Sequence, residues 1–300
     1  MFDVRPVGYV IGLLVAALGG AMIFPMMIDL ANANADWQVF LEAGIITVVT
    51  GGLIALACAN GVKEGLSIQQ TFLLTTGVWV ALPIFGAIPF VLGETDARFV
   101  DAFFEAMSGL TTTGSTVLSG LDDLPRGLLF WRSMLQWFGG VGIVVVAMAF
   151  MPELRVGGMQ IFRSEGFDTA GKVLPRAAEI ASQISVVYIG LTGACIAGYL
   201  IVGMAPFDAV NHALTTVSTG GFSTHDVSFG AFQGWAEYVA VVFMVLASLP
   251  FVRFVQLLAG TAKPLLRDPQ VRAYLVVNVV LIGAVTMYRI FINEDQIENS

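Results

Sequence analysis

Long runs without charge constrain this chain more than any other feature of its sequence. Five stretches contain no Asp, Glu, Lys or Arg: residues 6–28, 43–62, 65–93, 133–152 and 180–207. Two shorter stretches, 238–252 and 273–288, are followed by Arg253 and Arg289, whose long side chains can extend to a membrane interface. Because a helix crosses the hydrocarbon core of a bilayer with roughly 20 apolar residues, the pattern predicts seven transmembrane helices in an all-α polytopic membrane protein.

The composition excludes a soluble globular fold. Charged residues make up 12% of the chain and hydrophobic residues 57%, whereas ordinary soluble domains contain about 25% charged residues. A soluble core of this size could not enclose so much apolar surface, so the lipid bilayer is the expected surrounding. No nucleic-acid partner is expected.

The basic residues predict the orientation of the chain in the membrane. Ten of the fourteen fall on one side if the spans alternate: Arg5, Lys63, Arg155, Arg163, Lys172, Arg176, Arg253, Lys263, Arg267 and Arg272. Because loops rich in Lys and Arg stay in the cytoplasm, this side is predicted to be cytoplasmic and the N-terminus to lie inside.

After the first two spans the sequence repeats itself. A shift of 107 residues, without a gap, superposes five pairs: Asp101 on Asp208, Ala102 on Ala209, Ala106 on Ala213, Thr112 on Thr219 and Gly114 on Gly221. The repeat predicts five segments. They are a two-helix N-terminal segment, a helix–pore loop–helix repeat, a cytoplasmic linker, a second such repeat, and a linker with the first helix of a third, truncated repeat, at residues 1–66, 67–152, 153–178, 179–260 and 261–300.

Each repeat contains a short apolar segment followed by Thr and Gly. The segments 101–110 and 208–217 would extend about halfway through a bilayer as helices, and LTTTGST (110–116) and STGGFST (218–224) follow them. Non-helical backbone at membrane depth is tolerated where it lines a water-filled path, so two re-entrant loops are predicted. Backbone carbonyl and Thr hydroxyl oxygens can replace the hydration shell of a cation. The alternative is an ordinary Thr/Gly turn that ends each helix.

These loops, together with RSMLQWFGGVGI (132–143), resemble the Trk-type potassium uptake proteins, of the superfamily that also contains the Ktr and plant high-affinity transporters. The resemblance implies four helix–loop–helix repeats in one chain, so the C-terminal repeats and the gating segment of the third repeat have no counterpart here. It also implies a bacterial inner-membrane location, a homodimer and a nucleotide-binding regulatory ring on the cytoplasmic side. The transported ion would be K⁺, with no other cofactor.

Carried over to this sequence, the family's filter glycines fall on Gly114 and Gly221. The neighbouring residues that would bind K⁺ are Thr112, Thr113, Ser115, Thr219, Gly220 and Phe222. In this superfamily a Ser at the first filter glycine is associated with sodium preference. We therefore expect Gly114 to set the ion preference, and Ser at Gly114 or at Gly221 to act similarly.

Four charged residues near the loops have open roles. Asp101 and Asp208 are interpreted as N-terminal caps of the short helices. Glu105 either faces an outer vestibule or is hydrogen-bonded, and Arg132 either pairs with an acidic group near the loops or anchors the helix at the interface. A cluster of small residues in the fourth span, Gly139, Gly140 and Gly142, is expected to be a helix-packing surface.

Three functions are compatible with these features. The first is K⁺ uptake through a carbonyl-lined filter, gated by a cytoplasmic subunit. The second is a sodium-permeable or ion-coupled cation transporter of the same superfamily, and whether transport is by symport or through a channel stays open. The third is a polytopic membrane enzyme, which would require clustered His, Asp, Glu or Ser within the spans, and the long spans contain no such cluster.

Overall fold

The computed structural model describes residues 3–61, 66–95, 97–154, 173–232 and 234–298. Within these residues there are helices and no β-strand, so the predicted all-α class is confirmed. The helices are α1 (Arg5–Ala21), α2 (Ile23–Ala31), α3 (Trp37–Cys58), α4 (Ile68–Gly86), α5 (Ile88–Leu92), α6 (Phe99–Leu110), α7 (Arg126–Leu154), α8 (Val173–Ile201), α9 (Pro206–Val217), α10 (Ala236–Ala247), α11 (Phe251–Leu258), α12 (Lys263–Arg267) and α13 (Pro269–Glu298).

Among the residues that the structure describes, five stretches of helix are long and apolar enough to cross a membrane. They are Arg5–Ala31, Trp37–Cys58, Gln69–Leu92, Ala181–Ile201 and Pro269–Phe291, and α10 with α11 gives a sixth if the two count as one span. The predicted fourth span corresponds to α7, which has 29 residues, but its side chains are described only to residue 142. The expected count of seven therefore stays a prediction.

By its contacts the chain divides into two compact units, Met1–Ala247 and Ser248–Ser300. The second unit consists of α11, α12 and α13. Asp268 begins α13 as its N-terminal cap, since its Oδ1 accepts the Gln270 N–H at 2.8 Å. Its other oxygen accepts a hydrogen bond from Arg253 Nε at 2.8 Å. Most of the predicted linker, residues 155–172, lies outside the described residues.

Within the first unit, α1 and α3 are packed backbone to backbone. A Cβ added to Gly12 would lie 2.7 Å from the Gly51 carbonyl oxygen, and one added to Gly51 would lie 2.7 Å from the Gly12 carbonyl oxygen. Small residues permit this approach, which is the usual way that helices gain contact in a bilayer. The N-terminal segment is thus a tightly packed pair of spans.

The core of the first unit lies where this N-terminal segment meets the first repeat. Trp131 of α7 is fully buried, donates its indole N–H to the Gly86 carbonyl at 2.9 Å and makes an edge contact with Phe40. Asp29 at the end of α2 accepts the Gly127 N–H at 2.6 Å, at the positively polarised start of α7. These contacts hold α7 against the N-terminal segment and α4.

The interpretation of Asp101 and Asp208 as N-terminal caps is wrong. The residues that precede the short helices are Arg98 and Ala205, and neither makes a side-chain capping bond. Each aspartate instead lies in the first turn of its helix, where the helix dipole still favours a negative charge. Asp101 pairs with Arg98, and Asp208 accepts the Thr224 hydroxyl at 2.7 Å.

A buried ion pair joins α6 to α7. Arg132 Nε lies 2.7 Å from Glu105 Oε1, and the two side chains are 1% and 0% exposed. Of the two roles left open for Arg132, pairing with an acidic group is therefore the one observed, and Glu105 is hydrogen-bonded. A charge in such surroundings is tolerated only when it is paired.

We expect the α1–α3 contact to be sensitive to single methyl groups, which two adjacent glycines can test. A Cβ on Gly51 would lie 2.5 Å from Ala16 N, whereas one on Gly52 would meet no atom within 4 Å. Gly51→Ala should therefore destabilise the protein by about 1–3 kcal/mol through overpacking. Gly52→Ala should be neutral or stabilise by up to about 1 kcal/mol through helix propensity. Thermal unfolding in detergent measures both, and equal effects would contradict the packing described.

Removal of one partner of the buried ion pair should be far costlier than loss of an exposed pair. Arg132→Met leaves the Glu105 carboxylate buried and unpaired, and we expect a loss of about 3–5 kcal/mol. The double change Arg132→Met with Glu105→Gln should recover a large part of that loss, because no buried charge remains.

The matched control is Arg98→Gln. The Arg98–Asp101 pair has an N–O distance of 2.8 Å but is exposed, so the expected loss is much smaller than at Arg132. Losses of similar size at Arg98 and Arg132 would show that burial does not set the value of the pair.

Candidate functional site

The two loops that follow α6 and α9, loop 1 (residues 111–117) and loop 2 (residues 218–224), begin with the same hydrogen bonds. The N–H groups of Thr112 and Thr113 bond to the carbonyls of Gly109 and Ser108, at 2.9 Å each. In the second repeat the corresponding bonds run from Thr219 to Thr216 at 3.0 Å and from Gly220 to Thr215 at 2.8 Å. This is the Schellman pattern of helix termination, and it holds for both loops under the 107-residue shift.

Both loops also share an unusual backbone conformation. Thr112 and Gly114 have φ values of 55° and 78°, and Thr219 and Gly221 have 54° and 81°. The left-handed position that ends a helix is usually glycine, and a β-branched residue there is an outlier. Such strain persists only where the surroundings impose it, and it concentrates at functional sites. Two threonines at matching positions therefore mark these loops as a candidate site.

The structure brings the two loops into direct contact. A Cβ added to Gly114 would lie 1.9 Å from the Gly220 carbonyl oxygen, so the backbones touch at these residues. Gly221, by contrast, has no atom within 4 Å of an added Cβ. The two predicted filter glycines therefore differ in their surroundings.

The other predicted ion-binding residues are divided between exposed and buried positions. Thr113, Ser115 and Thr219 are exposed, and Phe222 is buried. The Phe222 ring lies under the Arg132 guanidinium, whose carbon is 4.3 Å from the ring centroid. The side chain of Phe222 thus belongs to the support of loop 2, and only its backbone is available to a ligand.

One face of α7 contacts loop 2 along the whole length of the loop. Arg132 donates to the Ser223 carbonyl at 2.8 Å, and Gln136, one turn further, accepts the Phe222 N–H at 3.1 Å. Another turn on, a Cβ added to Gly140 would lie 3.0 Å from Ser218 Cβ. The spacing of four residues places these three positions on the same side of the helix.

The same helix also contacts α6 and loop 1 of its own repeat. Arg132 donates to the Thr116 hydroxyl at 3.2 Å, and Glu105 accepts hydrogen bonds from the Thr116 hydroxyl at 2.9 Å and the Val117 N–H at 3.1 Å. A Cβ on Gly139 would lie 1.9 Å from the Leu110 carbonyl oxygen. The packing surface predicted for this glycine cluster is confirmed at Gly139 and Gly140, whereas Gly142 has open space.

Gln136 is the residue at this site that the sequence analysis did not single out. Its side chain is fully buried between the two loops. A polar residue within an uncharged span is itself a signal of function, and Gln136 lies inside the stretch 133–152. Its partner Phe222 is 86 residues distant in sequence, so the pairing could not be read from local spacing.

A second set of contacts joins the two repeats just beyond the loops. We call it the clasp: Gly120, Leu121 and Asp122 of the first repeat, with His225 and Asp226 of the second. Asp226 accepts the N–H groups of Gly120 and Leu121 at 3.0 and 3.2 Å, and the His225 ring bonds to Asp122.

The His225 hydrogen bond lowers the pKa of Asp122 below its ordinary value. A carboxyl group whose pKa is depressed on folding stabilises the fold above its unfolded pKa. That contribution is lost as the pH falls through the lowered value. The clasp therefore contributes to stability at neutral pH.

A buried histidine fixes loop 2 from the opposite side. His212 of α9 is bonded through Nε2 to the Ser223 hydroxyl at 3.0 Å and through Nδ1 to the Asp208 carbonyl at 2.9 Å. Both ring nitrogens are thus engaged within the second repeat.

Comparison with known proteins gives one consistent result. The TrkH family model, described as a cation transport protein, matches residues 36–293. The Trk system potassium uptake protein TrkI of Halomonas elongata is 37% identical over 287 residues, which cover 95% of this chain and 58% of that protein. TrkH of Escherichia coli K12 is 38% identical over 295 residues, which cover 96% of this chain and 61% of that protein.

A solved structure has the same fold. The crystal structure of the potassium transporter TrkH from Vibrio parahaemolyticus superposes with a TM-score of 0.83 at 32% identity, over 94% of this chain and 58% of that one. The chain thus spans about three fifths of the length of these relatives. With a family model that matches most of its residues, the chain belongs to the TrkH family of cation transport proteins.

Proposed function

We propose that the chain takes part in K⁺ uptake across the bacterial inner membrane, through a pathway lined by loop 1 and loop 2. The observation that carries the proposal is the left-handed pair in each loop, Thr112 with Gly114 and Thr219 with Gly221. Relatives named as potassium uptake proteins support transport of this ion over the membrane-enzyme alternative.

The backbone pattern suits a cation that must lose its water. Left-handed residues at alternate positions turn successive peptide groups to one side, so that several carbonyl oxygens can face a common axis. Such carbonyls, with Thr hydroxyls beside them, replace the hydration shell without adding charge. The C-terminal ends of α6 and α9, which carry partial negative charge, lead directly into the loops and favour a cation there.

In this proposal α6 and α9 are half-length helices of re-entrant loops. Each has 12 residues, about 18 Å of helix and therefore too short to cross a 30 Å core. A cage of carbonyls around one axis needs oxygens on all sides, and two loops supply two sides. The remaining sides would come from the further repeats that longer family members contain.

The contact between the loops implies that Gly114 and Gly221 respond differently to substitution. At Gly114 any Cβ would overlap the Gly220 carbonyl, so loop 2 must move as well. At Gly221 the cost is the left-handed conformation alone, about 1–2 kcal/mol. We therefore expect Gly114→Ala to reduce K⁺ uptake and relax discrimination against Na⁺ by about tenfold or more, and Gly221→Ala to have a smaller effect. Cation-competition uptake in cells that express the native gene is the measurement.

Gly120 provides the matched control for backbone strain. Its φ of 71° resembles that of Gly114, and an added Cβ would meet no atom within 4 Å, but it lies outside both loops. Gly120→Ala should keep the wild-type ion preference. A Gly114→Ala protein that folds and keeps wild-type selectivity would contradict the assignment of loop 1 to the pathway.

The second candidate is a sodium-permeable or ion-coupled transporter of the same family. In the superfamily that this chain resembles, Ser at the first filter glycine is associated with sodium preference, so glycine at position 114 favours K⁺ over Na⁺. Reversal potentials of the protein in liposomes separate these cases, because a coupled symporter responds to the gradient of its second ion and a channel does not.

The proposal extends to topology and partners. Seven spans with a cytoplasmic N-terminus would place the linker 153–178 inside the cell. A homodimer that binds a nucleotide-binding regulatory ring through this linker would gate the pathway.

Neutralisation of the linker tests this interface. Replacement of Arg155, Arg163, Lys172 and Arg176 by Gln should weaken co-purification of such a ring by about tenfold, since basic residues attract acidic partners. Replacement of Arg5 and Lys63, which share the predicted cytoplasmic side, serves as the charge control. Undiminished binding would exclude the linker from the interface.

A further inference from the structure

The hydrogen bond between Gln136 and Phe222 has a consequence for the neighbouring glycine. The N–H of Phe222 belongs to the same peptide group as the carbonyl of Gly221. The chain contains no cis peptide bond in its described residues, and in a planar trans peptide the N–H and C=O groups point in opposite directions. Because the Phe222 N–H points at Gln136 of α7, the Gly221 carbonyl points away from α7.

The surroundings of Gly221 leave that carbonyl free to meet a ligand. Gly221 is exposed, and an added Cβ would meet no atom within 4 Å. On the opposite side, Gln136 is fully buried and fills the space behind the loop. One buried amide thus determines which way an exposed carbonyl faces.

Packing alone does not explain an amide at this position. Gln136 Nε2 is buried and has no hydrogen-bond partner among the described residues, although it lies 2.7 Å from where a Cβ on Gly220 would be. A buried donor without an acceptor destabilises a fold. Met has a similar length and would fill the same space without that disadvantage. What the glutamine adds is the acceptor for the Phe222 N–H.

We propose that Gln136 is a specificity-determining positioning residue, which fixes the Gly221–Phe222 peptide plane and so directs the Gly221 carbonyl into the ion pathway. This inference rests on the proposed function. It assigns to α7 of the first repeat a direct influence on an ion ligand of the second repeat. Ion preference depends on the number and orientation of carbonyl dipoles around the ion, so a peptide plane that can rotate should discriminate less well.

The test compares three changes on α7 in cells that express the native gene, with K⁺ and Na⁺ as the competing ions. Gln136→Met removes the acceptor and keeps the volume, and the K⁺/Na⁺ uptake ratio should fall about tenfold while the KM for K⁺ rises. Gln136→Glu keeps an oxygen for the Phe222 N–H, and because a buried, unpaired carboxyl group takes up a proton rather than stay charged, it should stay within about threefold of wild type. Ser133→Ala, at a buried hydroxyl that donates to the Leu129 carbonyl of the same helix, should leave the ratio unchanged.

Thermal stability separates positioning from a merely structural role. Gln136→Met should unfold close to the wild-type temperature, because it removes one unpaired buried donor, Gln136 Nε2, and leaves another, the Phe222 N–H, unpaired. A lower melting temperature with unchanged selectivity would overturn the proposal, as would a Gln136→Glu protein as unselective as Gln136→Met.

The uptake ratio does not depend on the amount of protein, so any variant with measurable transport decides the question. If Gln136→Met gives no measurable transport, Gln136→Glu alone decides the question. Failure of the Gln136→Glu protein to transport at normal membrane levels would overturn the inference. A wild-type protein without K⁺ preference would instead contradict the proposed function.

Discussion

A guanidinium group inside an apolar bundle must find partners for its N–H groups, and at Arg132 this requirement organises the whole site. The five donors of arginine form a rigid planar fork, and here they are directed at Glu105 of α6, Thr116 of loop 1 and Ser223 of loop 2. No single loop could satisfy the charge. Burial of this one side chain therefore holds a helix and two loops from different repeats in one arrangement.

The strained loops depend on that arrangement. A left-handed threonine is unfavourable by itself, and it relaxes unless its neighbours resist. Resistance comes from α7, which contacts loop 2 through the side chains of Arg132 and Gln136. Its bare backbone contacts the end of α6 at Gly139 and loop 2 at Gly140. Along α7, polar side chains fix the peptide planes of the loops. Glycines, which have no side chain, allow the backbones to approach closely.

Much of the fold could be predicted because the signals are local. The spans follow from uncharged runs, and the 107-residue repeat located both short helices and the residues that adopt φ near 55°. Each predicted cap lies three residues after the observed cap position, because the cap is set by the residue at which the helix begins. Pro206 was the available signal, because proline favours the first helical position, and it places the cap at Ala205.

The contacts between repeats could not be predicted in the same way. Gln136 and Phe222, or Asp122 and His225, are separated by most of a repeat, and no periodicity connects them. The close contact of α1 with α3 is reflected in the sequence by the glycines at positions 12 and 51. Which residues pair, however, depends on how the two helices are aligned in three dimensions. Local sequence thus predicts the helices and loops but not the contacts between them.

The contacts of the clasp are not equivalent in the two repeats. Under the 107-residue shift Asp122 falls on Phe229, and His225 and Asp226 fall on Leu118 and Ser119, so neither repeat carries both halves of the contact. The clasp therefore joins unlike surfaces, and the same residues cannot form it again between further copies of the repeat. Repeats joined in this way have a fixed order along the chain, and the two copies, although alike in their loops, are no longer interchangeable.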